Sequence, residues 1–486
     1  MTKTMHSIRR ASGAILAALA ILAAPACNDF NVPNYGAQSI TELQEGANAA
    51  QVGAAVVGLF GLSREFETSF LQSHTSVMGN FGREGMELDP SNPQHPTDRF
   101  DQVGTGEQGY VGWGVGYRVI KQGNVILKAL STATGLTDPQ KEGVRGVTKT
   151  IQAIAFNRLI NAFDASGIPI DVDIATSDAA AAIAPKAQVL TRIAQLLDEG
   201  STHLGAAGTA FSFTLPPGFT TSTQGASFGT PVAFRTFNRG LRARIAAYQA
   251  DYATTLTALT GSFITTAAGS SVRYGGYDTY SSRSGDRTNP LYDPTCRQLF
   301  ALTSLETGAQ FNGATIDTRW TTKVQKITAK TIHTYVVDAC WRLYPSPETP
   351  IPILRNEELI LLRAEARWFT GDKPGAIADL DYIRATSGGL GPASAATPTP
   401  VTIASPDAVF LDELLYNRLY SLMWEGGHRW VDARRFNRLG SLPKTLPRAA
   451  GNTSVTKVYP YLQLPTDECL PRGNPAANCT APTAVP

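Results

Sequence analysis

Four tyrosines, Tyr274, Tyr277, Tyr280 and Tyr292, stand among Arg273, Asp278, Arg283, Asp286 and Arg287, in and just after a polar stretch from Ser270 to Asn289. Aromatic rings can stack on the flat face of a ligand while guanidinium and carboxylate groups hydrogen-bond its edges, a mix that suits a carbohydrate. The same tyrosines would serve as well to pin the loop to the body of the protein, and both readings stay open at this point. A second unusual segment, Gln72 to Val103, carries His74, Asn80, Phe81, Arg83, Asp89, His95 and Arg99. It is too long for a simple connection and has no periodicity; long loops of this kind tend to be functional, and the same two readings stay open for it.

Catalytic patterns are scarce by comparison. Gly104-Thr105-Gly106-Glu107-Gln108-Gly109 matches GxGxxG, but no strand precedes it and no βαβ unit surrounds it, so it reads as a helix-entry loop. No Walker A loop, HExxH, GxSxG or kinase set occurs, and the six histidines are dispersed, none paired at metal-ligand spacing. We expect neither an enzyme nor a metal or other cofactor. With 42 Lys+Arg against 40 Asp+Glu, a formal charge of +2 and no basic block, nucleic acid is excluded as a partner.

Lys3, Arg9 and Arg10 precede an apolar run, Ala14 to Ala26, that ends in small residues before Cys27. This is the layout of a secretory signal cleaved ahead of a lipidated cysteine, with ordinary cleavage nearby as the alternative. Removing residues 1–26 takes away three basic residues and no acid, leaving 39 against 40 and a net charge of −1. If Cys27 carries the lipid, four cysteines remain in an oxidising compartment. Of the three connectivities, the short spacing favours Cys469 to Cys479, which leaves Cys296 to Cys340.

The elements that would hold these loops are helical. A run from Ser39 through Val52, Val56, Leu59 and Phe60 has helical period behind a Ser39/Glu42 capping box. Helices are also expected over Gln108–Leu130, over Asp138–Ala162 with Asp138 as cap and Pro139 at the first position, over Pro185–Leu204 and over Phe234–Leu259. Pro350–Thr370, a Gly371-Asp372-Lys373-Pro374 turn and a helix with Ala376, Ile377, Leu380 and Ile383 form a hairpin of tetratricopeptide type, and Asn417–Arg438 repeats the theme. Strand signals are limited to pieces such as Phe211–Leu215 and Thr331–Val337. The fold class is mostly α: stacked helical hairpins, long irregular insertions and a few short strands. Glu358, Arg363, Glu365, Arg384, Glu425 and Arg429, set on otherwise apolar helices, are expected to lock hairpins together as buried ion pairs.

Arg355-Asn-Glu-Glu-Leu-Ile-Leu-Leu-Arg-Ala-Glu-Ala366, Gly371, and Ala376 to Arg384 with its Ala-Thr-Ser-Gly-Gly tail resemble the SusD/RagB family of nutrient-uptake lipoproteins. Glu425-Gly-Gly-His-Arg429-Trp-Val-Asp432-Ala-Arg-Arg435 is similar to that family's second C-terminal motif, with one additional residue between Glu425 and Arg429. Tyr459 to Glu468, with Asn474-Pro475 beyond, is similar to its closing segment. The resemblance implies a signal peptide over 1–26, a lipid-anchored tether over 27–38, an N-terminal helical region with ligand-binding loops over 39–345 and a C-terminal domain over 346–486, together one body. It also implies a non-enzymatic lipoprotein, membrane-anchored and exposed at the outer-membrane surface. Such a protein captures a glycan or oligosaccharide, or a peptide, as the lid of a SusC-like TonB-dependent barrel. The alternative is a helical-repeat envelope scaffold.

Overall fold

A computed structural model describes residues 43–69, 72–92, 100, 110, 112–174, 179–220, 227–452, 455–473 and 479–486. The signal peptide, Cys27, the tether, Ser39, His95, Arg99, Gly104–Gly109 and Asn474-Pro475 lie outside the described residues. Helices α1 (Ala49–Ser63), α2 (His74–Phe81), α3 (Gly112–Ala129), α4 (Asp138–Phe163), α5 (Lys186–Ala206), α6 (Pro231–Tyr248) and α7 (Tyr252–Thr260) build the N-terminal layers. α8 (Asn356–Phe369), α9 (Lys373–Gly388), α10 (Asp407–Leu422) and α11 (His428–Arg435) build the C-terminal ones. Among the described residues, no helix is long and apolar enough to cross a membrane.

The strands are short: β1 (Gly85–Glu87), β2 (Gly275–Asp278), β3 (Leu299–Ala301), β4 (Val324–Ile332), β5 (Tyr335–Trp341) and β6 (Ile351–Arg355). A four-stranded antiparallel sheet runs in the order β1-β3-β5-β4, and β6 pairs with β2. The fold is mostly α, with stacked hairpins, as the sequence pattern implies.

Local chemistry sets the element ends. α1 opens on a capping box in which Asn48 Oδ1 accepts from Gln51 N (3.0 Å) and Gln51 Oε1 accepts from Asn48 N (2.9 Å). At α4 the cap is Thr137, not Asp138, because Gln140 at the third helical position returns its side chain to the Thr137 N–H (2.9 Å). The expected Phe234–Leu259 helix is two helices. Ala250 takes a left-handed conformation (φ 57°) and Asp251 caps α7 through Thr254 N (3.0 Å).

Three expectations are corrected by packing. Gln72–Val103 does not begin as a loop: it contains α2 and β1, and every residue from Ser73 to Leu88 is buried. An element covered on all sides has no polar face, so it leaves no periodic signal. Ile351–Arg355 is a strand rather than the start of a helix, since its backbone is taken up by β2. Phe211–Leu215 forms no strand; its Phe211 and Phe213 rings stack at 5.1 Å, and Phe211 sets its edge against Phe234 of α6. Thr331–Val337 straddles the turn of the β4–β5 hairpin, with His333 at φ 54°.

The expected Asn417–Arg438 helix is also two, broken at residues 423–427. Trp424, Gly426 and Gly427 have φ of 59°, 111° and 75°. At Gly427 a Cβ would come within 2.2 Å of Met78 Cβ, so only glycine fits there.

Across this break the expected ion pairs form. Glu358 binds Arg244 of α6 with both oxygens (2.6 Å each). Glu365 binds Arg418 of α10 and Arg435 of α11 (2.5 and 2.6 Å), and Arg363 binds Asp379 (2.7 Å). Arg384 binds Glu413, and Glu425 binds Arg355 (2.7 Å) and Lys323 (3.1 Å). Arg429 instead donates to the Arg83 carbonyl (2.5 Å) beside Glu84. Both disulfides have the connectivity favoured by spacing, Cys296–Cys340 and Cys469–Cys479.

Glu365 is completely buried between two guanidinium groups, so Glu365→Ala leaves both without their shared carboxylate. We expect a loss of about 3–5 kcal/mol in chemical denaturation; a loss under 1 kcal/mol would show that the pair contributes little.

Candidate functional site

β2 ends at Asp278, whose carboxylate binds Arg158 of α4 at 3.0 Å; both side chains are buried. The chain then surfaces as a loop held from several sides. Arg64, just after α1, donates to Thr279 O (2.5 Å) and to Asp286 (2.6 Å), and Ser281 Oγ donates to Asp286 Oδ2 (2.9 Å). Asn289 bonds the segment before β6 through Pro347 O and Thr349 O (2.7 Å each). The Asp293 carboxylate accepts from the backbone N–H groups of Arg297, Gln298 and Leu299 (2.8–3.0 Å), and the Cys296–Cys340 disulfide closes the end.

The Gln72–Val103 segment enters the four-stranded sheet as β1, beside β3, which lies beyond the Ser270–Asn289 stretch; that stretch's own strand, β2, pairs with β6 instead. β1 pairs with β3, Leu88 N donates to Gln298 O (2.9 Å), and the following Asp89 accepts from His333 Nε2 through its carbonyl (2.7 Å). Asp89 therefore lies near the far end of the tyrosine loop, half-exposed, with Ser91 folded onto its carboxylate (2.7 Å).

The outer face presents charge. Arg283, Asp286 and Glu348 are exposed, and Glu65 binds Arg118 (2.8 Å) and Arg287 (3.5 Å). Alternating guanidinium and carboxylate groups in fixed positions can donate to and accept from the paired hydroxyls of a polar ligand. Arg283 is exposed, and among the described residues it makes no ion pair.

The tyrosines divide. Tyr277 is 8% exposed and its hydroxyl donates to Arg273 O; Tyr280 is 5% exposed, with the Arg64 guanidinium 5.5 Å from its ring centre. Both are covered by the protein itself, as the pinning reading has it. Tyr274 is half-buried against Phe228 and Phe263, and Tyr292 is half-buried. Asn80 and Phe81 belong to the core rather than to a loop face: Asn80 clasps Glu87 (2.9 and 3.1 Å), and Phe81 stacks on Trp430 at 5.0 Å. Arg64, Glu65 and Arg118, which complete the face, come from helical segments remote in sequence and had no local signal.

Beneath this face lies a polar crevice of about 40 Å³, enough for a few water molecules, lined by Glu67, His74, Asn157, Arg158, Arg244, Glu425 and His428 among others. Glu67 accepts from Thr75 N (3.3 Å) and Thr75 Oγ1 (3.0 Å), and His74 Nδ1 meets Tyr110 Oη at 2.8 Å. Burial pushes the Glu67 carboxyl up to about 7, against the pull of Arg158; it drives His74 well below the usual histidine range. The Arg158–Asp278, Arg244–Glu358 and Arg355–Glu425 pairs already balance, so Glu67 is the carboxyl without a cation of its own. Among the described residues no three His, Cys, Asp or Glu side chains converge as a metal site.

No family model matches the sequence, and no curated protein matches it. Solved structures do. Surface glycan-binding protein A from Bacteroides thetaiotaomicron superposes with a TM-score of 0.64 at 14% identity, over 89% of this chain and 99% of that one. A laminarin-binding SusD-like protein gives 0.61 at 16% identity over 87% and 98%, and a SusD superfamily protein from Bacteroides fragilis gives 0.63 at 16% over 87% and 98%. The chain has the SusD-like fold, in agreement with the resemblance in its C-terminal motifs.

Because Glu67 holds its proton more tightly folded than unfolded, its contribution to stability is full below about pH 4.5 and is lost as the pH rises towards 7. Glu67→Gln, neutral throughout, should therefore gain on the parent by up to about 3 kcal/mol between pH 4.5 and pH 8. Parallel melting-temperature curves for the two proteins would rule this out.

Proposed function

We propose that this protein is a non-enzymatic nutrient-binding lipoprotein of the outer-membrane surface, acting as the lid of a SusC-like TonB-dependent barrel and taking a glycan or oligosaccharide. The observation that carries the reading is the fold. It matches surface glycan-binding and laminarin-binding proteins over almost their whole length. In this reading Cys27 carries the lipid and residues 27–38 give the reach a lid needs. Arg283, Asp286 and Tyr292, with Tyr274 and Asp89 at the margins, contact the ligand. The buried Tyr277, Tyr280, Asn80 and Phe81 support them.

Binding would rest on a few charge-assisted hydrogen bonds and limited stacking, consistent with a Kd in the millimolar to micromolar range, roughly −4 to −8 kcal/mol. Transport energy would come from the barrel's own partner rather than from this chain.

Two measurements test the reading. A tagged copy drawn from gently solubilised outer membranes should bring down a TonB-dependent barrel in stoichiometric amount; envelope-assembly proteins without such a barrel would favour a scaffold. In calorimetry against a panel of soluble glycans, Arg283→Ala with Asp286→Ala should weaken the best binder at least tenfold. Full affinity in a folded double variant would take this face out of the site.

A further inference from the structure

A groove of about 250 Å³ opens between α10 and α11, on residues that the glycan reading does not use. Leu415 and Leu419 of α10 form one wall, Ala433 and Leu442 the other, and Ser441 stands exposed at the rim. Tyr416 presents its ring, because its hydroxyl is already engaged, donating to Asp317 (2.7 Å) and accepting from Gln310 N (2.9 Å).

The polar groups of this groove do not cancel. Asp432 is held by Arg418 and Arg435 at 3.0 Å each, and Asp412 is paired with Arg438 at the rim (3.1 Å). Arg429 differs from its neighbours Arg418, Arg434 and Arg435, each of which has a carboxylate within 3.4 Å. Among the described residues it has no carboxylate at ion-pair distance, and it spends one N–H on the Arg83 carbonyl (2.5 Å). That is its side-chain hydrogen bond among the described residues, and Arg429 lines the groove. The nearest acid, Glu84, is occupied with Trp424 N (2.6 Å) and the Arg429 backbone N–H (3.4 Å), and burial raises its carboxyl to about 7.

A guanidinium with spare N–H groups beside an apolar wall is complementary to a carboxylate carried on an apolar body. The cavity is smaller than a typical drug-sized pocket, which limits the occupant to a small molecule. We propose that this groove is a binding site for a small organic carboxylate with an apolar body, its carboxylate on Arg429 and its body against Leu415, Leu419 and Leu442. The site is independent of the glycan face and stands whether or not that reading holds.

The test uses the purified full-length protein and ligand-observed NMR titrations with hexanoate and benzoate, each against its amide. Both carboxylates should bind saturably and at least tenfold more tightly than hexanamide and benzamide. Ser441→Trp, which fills the mouth from an exposed position without touching the ion pairs, should weaken carboxylate binding at least tenfold with an unchanged melting temperature. Arg429→Gln should bring the carboxylates down to the level of the amides. Amides that bind as well as the acids, or carboxylate binding untouched by Ser441→Trp, would overturn the proposal, and the second result decides even if Arg429→Gln fails to fold.

Discussion

The architecture depends on desolvated guanidinium–carboxylate pairs that cross from layer to layer. Arg244 of α6 reaches Glu358 of α8; Glu365, about two turns further along the same face of α8, reaches α10 and α11; Arg384 of α9 reaches Glu413 of α10. Each charge is expensive to bury and repays the cost only when its partner arrives in register. A helix slid by one turn would leave several unpaired charges in the interior at once. Apolar surface alone, which tolerates repacking, would not discriminate between such registers so sharply. The pairs therefore select one stacking of the hairpins out of the many that the hydrophobic pattern allows.

The break at residues 423–427 shows what the network demands of the backbone. A bulky residue in the left-handed region is costly, yet Trp424 adopts it. Compensation is visible around it: Glu84 takes its N–H (2.6 Å), Tyr344 donates to its carbonyl (2.9 Å), and its ring stacks on Trp341 at 4.9 Å. Gly79 and Gly85 leave the room, since a Cβ at either would lie 2.5–2.7 Å from that ring. In return the turn delivers Glu425 to Arg355 and Lys323 and starts α11 in the direction that brings Asp432 and Arg435 to the same cluster. The extra residue between Glu425 and Arg429 lies in this break, and the two side chains have accordingly gone to different partners.

Amphipathic helices such as α3, α5 and α9 were legible in the sequence because each exposes one face to water, so polarity alternates with the helical period. α2 was not, since burial on every side erases that alternation. β6 was hidden in an apolar run that could equally begin a helix, and only its pairing with β2 decides. For the candidate site, the sequence singled out two segments but not which of their side chains face outward. Tyr277 lies on a strand and Tyr280 just past it, both turned inward, while the charges that complete the surface, Arg64 and Glu65, sit more than two hundred residues away. Glu67, His74 and His428 share a crevice for the same reason: contacts made by topology leave no local trace.

How the loop is held bears on what it can bind. Between Thr279 and Leu299 it is fixed by Arg64, by the segment before β6, by the Asp293 turn and by a disulfide, so its backbone and the anchoring side chains Asp286, Asn289 and Asp293 are already placed before any ligand arrives. Ordering a mobile side chain on binding costs about 0.5–1.5 kcal/mol, and a ligand meeting this face would be spared most of that. The surface can then use weak individual contacts and still discriminate, because hydroxyls that miss the fixed donors and acceptors lose hydration without replacement. A rigid, modest binder has the further property that release stays fast, since no loop must refold to let the ligand go. In the proposed capture role fast release would matter as much as affinity, and the anchoring of this loop would favour both.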